Sequence, residues 1–201
     1  QELTDELKLP VDKPWGIMTY HPVTYKNNSD KSHIDTLLNV VDGFSEIYWI
    51  LTLPNADTGS RTIIKKIEDF VRNYPEKSCL FSSLGQLRYL SLLKNVNLMI
   101  GNSSSGIIEA PSFELPVVNI GDRQKGRIRA ANVIDVPVCE QNKIEAAINK
   151  AMSNGFRDSL KGLKNPYGDG NTSDKIVETL REITLSDMSG KQFYELNVKV
   201  C

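Results

Sequence analysis

Short apolar runs rich in β-branched and aromatic residues recur along the chain at 15–20, 47–53, 78–81, 98–100, 117–120 and 132–136. Between them the apolar positions fall at helical spacing, as in Ile34, Leu37, Leu38 and Val41, then Ile63, Ile64, Ile67, Phe70 and Val71, with polar residues on the other faces. This alternation predicts a parallel sheet, because parallel neighbours need crossover helices and such crossovers are right-handed. The expected fold is α/β: a Rossmann-like, open, six-stranded parallel sheet with helices on both faces. Beyond Val138 the strand signal ends, and helices are expected at 140–153, 172–183 and 187–195. The chain therefore reads as a leading segment 1–14, a Rossmann-like domain 15–185 and a helical tail 186–201.

In the common six-strand order the chain reverses direction between the first and fourth strands, and ligands bind at the carboxyl ends beside that point. Two polar loops are thereby brought together, His21-Pro22-Val23-Thr24 and Gly101-Asn102-Ser103-Ser104-Ser105-Gly106. The second has the outline of a phosphate cradle. Its glycines permit close backbone approach, its serines offer hydroxyl donors, and a helix expected to begin at Ile107 would present free amides and a positive dipole end. Serine and glycine also simply cap helices, so the motif alone leaves both readings open.

Glu109, expected in the first helical turn, is either a charge-favourable helix start or a carboxylate that grips two hydroxyls. The next loop at this edge, 121–127, carries Arg123, Lys125 and Arg127 between two glycines, a set suited to a diphosphate or to plain solvation. His21 can donate to a phosphate or transfer a proton near neutral pH. His33, inside an expected helix, reads as structural. Asn55 follows the second strand in a segment whose turn chemistry is otherwise sufficient explanation.

Charge narrows the partners. The 24 basic and 25 acidic residues nearly cancel, so nucleic acid and anionic membrane are not expected partners and any anion must be held locally. The three cysteines, Cys79, Cys139 and Cys201, lack metal or disulfide spacing, which points to a reducing cytoplasm. No run approaches the roughly 18 apolar residues of a membrane span, and the start has no signal-peptide pattern. The chain opens at Gln1 without Met and is read as a fragment. No metal and no cofactor are expected: no Asp/Glu/His cluster has ligand spacing, and His-Pro stands where a dinucleotide fingerprint would follow the first strand.

Read together, His21-Pro22-Val23-Thr24, Leu53-Pro54-Asn55-Ala56-Asp57, the segment 82–90 and above all 101–127 resemble the C-terminal domain of the hydrolysing UDP-N-acetylglucosamine 2-epimerases. The Arg-rich segment and Asp-Ser-Gly-Gly run of the non-hydrolysing epimerases do not occur. The resemblance spans about residues 15–136 and implies one half of a GT-B arrangement, with the active site in a cleft between two Rossmann-like domains. It makes 1–14 an interdomain segment and makes an N-terminal domain of the same protein the missing partner. It implies a UDP-sugar substrate, with phosphate contacts from His21, Ser103, Ser104 and Arg123. It also implies a ribose contact from Glu109, a polar contact from Asn55, and uracil against Ser83, Leu84 and Gly85. Asn102 and Gly106 complete the expected UDP site.

In such enzymes UDP is eliminated to leave a glycal, and water then adds to release a free 2-epimeric sugar such as N-acetylmannosamine. The carboxylates that move the C2 proton belong to the other domain, so His21 is the one catalytic residue expected in this chain, which alone should not turn over. Two other readings stand beside this one, a GT-B glycosyltransferase donor domain and a nucleotide-sugar sensing module without chemistry. The tail residues Phe193, Tyr194, Leu196 and Val198 are expected to pack on the missing domain or, in its absence, to be exposed or to meet a second copy in a homodimer.

Overall fold

The first strand in sequence lies, with the fourth, at the centre of the sheet. In the computed structural model, which describes residues 2–23, 29–57 and 59–183, six parallel strands stand in the order β3-β2-β1-β4-β5-β6. They are β1 (Trp15–Thr19), β2 (Tyr48–Thr52), β3 (Ser78–Phe81), β4 (Leu98–Gly101), β5 (Val117–Ile120) and β6 (Val133–Val136). Each lies within a residue or two of the run expected from sequence. β1, β2, β4 and β5 are buried along their whole length, as strands covered on both faces must be, while the edge strands β3 and β6 are partly exposed.

Side chains alternate between two cores with the period of two that a strand imposes. Met18, Trp49, Leu51, Ile100 and Val118 enter one core, closed by helices α2 (Ser29–Gly43), α3 (Ser60–Asn73) and α6 (Gln141–Met152). Trp15, Ile17, Tyr48, Ile50, Met99 and Val117 enter the other, with Leu92 and Leu93 of α4 (Gly85–Asn95). α3 presents Ile63, Ile67 and Phe70 to its core, an i, i+4, i+7 stripe. Gly16 has a packing reason: a Cβ there would lie 2.5 Å from the Trp49 ring, which fills the space beside its register partner.

Two helices were not visible in the sequence pattern. α1 (Glu2–Leu7) contributes Leu3 and Leu7 to the second core, and Arg88 of α4 pairs with its Glu6. α7 (Asn154–Ser159) begins at Ser153, whose hydroxyl accepts the Phe156 amide at 3.3 Å.

The helix expected after the serine-rich loop is the main correction. α5 (Ser105–Ile108) is a single turn, followed by a 3-10 segment, Ala110–Phe113. Pro111 lacks the N–H that would continue α5, so the geometry tightens. Glu109 thus sits at the junction of two short turns and not in the first turn of a long helix, and the dipole argument made for it fails.

By contact density the chain divides into 1–166 and 167–201. The described part of the second unit is α8 (Thr172–Glu182), with Ile176, Val177 and Leu180 exposed. The expected helix 187–195 and tail lie outside the described residues, as do Thr24, Thr58 and Cys201. No helix among the described residues is long and apolar enough to cross a membrane.

Candidate functional site

The topology places the ends of β1 and β4 side by side, with Thr19 registered against both Thr52 of β2 and Gly101 of β4. Gly101 has φ of 133°, and a Cβ on it would lie 1.9 Å from the Thr19 carbonyl oxygen. Only glycine lets the chain turn there while the Asn102 amide still donates to Thr19 O at 3.2 Å.

One step further, Asn102 is fully buried and spends its side chain on the first loop. Its Oδ1 accepts from His21 N at 2.7 Å, and its Nδ2 donates to His21 O at 2.8 Å. The Asn102 carbonyl oxygen in turn accepts from Arg123 Nη1 at 3.1 Å and from Gln124 Nε2 at 2.8 Å. Three loops, after β1, β4 and β5, are thereby tied at a single residue. Each buried bond of this kind contributes about 1 kcal/mol net, and more is lost when one partner is removed and the other left unpaired.

His21 is 7% exposed and its Nδ1 accepts the backbone N–H of Asn55 at 3.3 Å. With Nδ1 occupied as an acceptor, the neutral imidazole carries its proton on Nε2. Burial holds the pKa of His21 below the usual 6.5, the Arg123 guanidinium lowers it further, and Asp57 opposes them. At neutral pH the ring is therefore an uncharged donor with a cation beside it.

A cleft of about 330 Å³ opens at this edge, lined by Thr19, His21, Thr52, Leu53, Asn55, Ser83, Leu84, Gly85, Gln86, Tyr89, Ser103 and Ser105. Of the residues expected from sequence, it brings together His21, Asn55, Ser83, Leu84, Gly85 and Ser103. Arg123 reaches the cradle through the Asn102 carbonyl. Ser104 precedes α5, and its carbonyl accepts the amides of Ile107 and Ile108, both at 2.9 Å. Gly106 is buried against β5, where a Cβ would meet Val117 Cγ1 at 2.8 Å, so its role in the structure is close packing. Lys125 and Arg127 are exposed. Glu109 does not line the cleft, yet its Oε2 is buried without a hydrogen-bond partner. His33 behaves as expected of a structural residue, its Nδ1 bonding the Tyr20 hydroxyl at 3.1 Å.

Sequence reasoning gave no role to Thr19, Thr52, Gln86 and Tyr89 in the cleft, nor to Gln124 behind it, while Ser105 belongs to the serine-rich cradle it expected. Gln124 is 2% exposed. A signal existed for the threonines, since both close apolar strands at the binding edge of the sheet. None marked Tyr89, whose position reads as ordinary helix surface until β1 and α5 are placed beside it.

The profile of the UDP-N-acetylglucosamine 2-epimerase family matches residues 2–181. This chain belongs to that family. Among family relatives, the hydrolysing GDP/UDP-N,N'-diacetylbacillosamine 2-epimerase of Campylobacter jejuni is 39% identical over 197 residues, covering 98% of this chain and 50% of that protein. The polysialic acid biosynthesis protein P7 of Escherichia coli is 37% identical over 186 residues, covering 92% and 47%. The crystal structure of Neisseria meningitidis UDP-GlcNAc 2-epimerase bound to UDP-GlcNAc superposes with a TM-score of 0.64 at 18% identity, over 90% of this chain and 48% of that one. That likeness establishes the shared fold. The chain spans about half the length of the curated relatives it matches.

Proposed function

We propose that this chain is the UDP-holding half of a hydrolysing 2-epimerase acting on a UDP-linked 2-acetamido sugar. The observation that carries the reading is the convergence of His21, the 101–106 loop and Arg123 on Asn102 at the carboxyl edge of the sheet, where a nucleoside diphosphate is bound in folds of this topology. The relatives' names, a diacetylbacillosamine 2-epimerase and a polysialic acid biosynthesis protein, support an amino-sugar substrate.

In this reading Ser103, Ser104 and Arg123 hold the diphosphate. His21 donates its Nε2 proton in a hydrogen bond to the departing oxygen, so that negative charge developing during elimination falls on preplaced donors. A neutral donor beside Arg123 suits this task better than a second cation, because it stabilises the anion without like-charge repulsion. The orphaned Glu109 carboxylate oxygen is an acceptor in search of donors and fits the paired hydroxyls of a ribose. The uracil edge is assigned to backbone groups of Ser83, Leu84 and Gly85, and Asn55 contributes mainly through the amide that orients His21. The carboxylates that move the C2 proton are assigned to an N-terminal domain of the same protein, and residues 15–185 to the UDP-binding domain. The cytoplasm, where UDP-sugars are made and thiols such as Cys79 and Cys139 stay reduced, is the fitting compartment.

Calorimetric titration of UDP into the chain, beside UMP, ADP and the Arg123→Ala variant, tests the proposal. Selective UDP binding that weakens in the variant is expected; a folded chain that prefers ADP, or is indifferent to Arg123, overturns it.

A further inference from the structure

Two hydrogen-bonded pairs of hydroxyls, drawn from four different elements, line the cleft. Thr52 Oγ1 of β2 lies 2.6 Å from Thr19 Oγ1 of β1, and the phenol of Tyr89, on α4, donates to Ser105 Oγ of α5 at 2.7 Å. All four residues line the cleft.

Each hydroxyl has one proton to give, and Tyr89 gives its own to Ser105. The partly buried setting of the pair strengthens that bond. Burial also pushes the Tyr89 pKa up, which keeps the phenol protonated across the working pH range. Ser105 has its Oγ already accepting and its own proton uncommitted, at the wall of the cleft beside Ser103. It therefore presents a donor, and an anionic oxygen is the group it would select.

We propose that Ser105 donates directly to a phosphate oxygen of the bound nucleoside diphosphate, and that Tyr89 is a positioning residue that acts through Ser105. The proposal rests on the UDP reading above. It adds to the cradle a donor that does not depend on charge, and a reason for a tyrosine on α4 to face the sheet.

A double-mutant cycle read by calorimetry with UDP tests it, using the 201-residue chain, Ser105→Ala, Tyr89→Phe, the double variant and Arg123→Ala as a reference. Tyr89→Phe removes one oxygen and no packing volume, so the fold is retained; melting temperatures check this. Loss of a bond to a charged group should weaken UDP binding about tenfold in Ser105→Ala. Tyr89→Phe should weaken it about threefold in the native background, and leave it unchanged in the Ser105→Ala background. If Arg123→Ala weakens binding while Ser105→Ala does not, this inference falls and the UDP reading stands. If Tyr89→Phe costs the same in both backgrounds, Tyr89 does not act through Ser105. A folded native chain that binds no UDP overturns both.

Discussion

Asn102 and His21 exchange two hydrogen bonds, side chain to main chain in both directions, at 2.7 and 2.8 Å. The pair joins residues 81 positions apart, is closed to solvent, and fixes the backbone from which the imidazole projects. Asn102→Ala would leave a buried N–H and a buried C=O without partners, at a cost of about 2–4 kcal/mol in denaturant unfolding. Asn102→Asp is expected to be at least as harmful at neutral pH, since a carboxylate oxygen would then face the His21 carbonyl. A variant as stable as the native chain would show that this pair contributes nothing to the fold.

The His21 ring should titrate below 6.5 when its carbon-bound protons are followed by NMR, and the value should rise in Arg123→Ala, where one of the causes of the depression is gone. The consequence for stability has a definite sign. A histidine whose folded pKa is depressed contributes its full stability above the unfolded value of about 6.5, and loses it as pH falls toward the folded value, because only the unfolded chain then takes up the proton. The denaturation midpoint of the native chain should therefore fall more steeply with pH below 6.5 than that of His21→Phe. Parallel curves would assign the acid sensitivity to other groups.

Gly101→Ala should prevent the chain from reaching its native fold. The new methyl would sit 1.9 Å from Thr19 O at a φ of 133°, and Thr19 is the pairing partner that brings β1 to β4. Gly106→Ala, with its nearest contact the movable Val117 side chain at 2.8 Å, should fold and lose about 1–3 kcal/mol. Circular dichroism and urea melts of the two variants would separate these outcomes, and equal behaviour would contradict the distinction.

Burial pushes the thiols of Cys79 and Cys139 up to about 11. At pH 8 only on the order of one in a thousand would be thiolate, so both should resist iodoacetamide in the folded chain and react once it is denatured. Peptide mapping by mass spectrometry reads each site separately. Rapid native alkylation at either position would mean that its burial is transient.

The strands were legible in the sequence because four of them are wholly buried and so appear as unbroken apolar runs. The order of the sheet is the common six-strand one, with the chain reversing between β1 and β4. The loop ends at His21, Asn55 and Gly101 were legible for the same reason, being where those runs stop. α5 was misjudged because Ile107 and Ile108 look like the start of a periodic helix, and the effect of Pro111 on the turn before it was not weighed. Asn102 was expected among ligand contacts, whereas its side chain is committed to His21. Tyr89, Thr19 and Thr52 acquire meaning only through partners at least 16 positions away, and no local pattern carries such information.

The binding of three loops to one asparagine also governs how the site can be altered. Loop exchange between relatives is usually attempted one segment at a time, on the assumption that each connection is independent of its neighbours. Here a transplanted 101–106 segment that brings another residue to position 102 would leave the His21 backbone of the host unanswered, while Arg123 and Gln124, which bond the main-chain carbonyl of 102, would still find it. Asn102 is therefore the residue that any exchanged 101–106 segment must retain if the loop after β1 is to stay tied to the loop after β4.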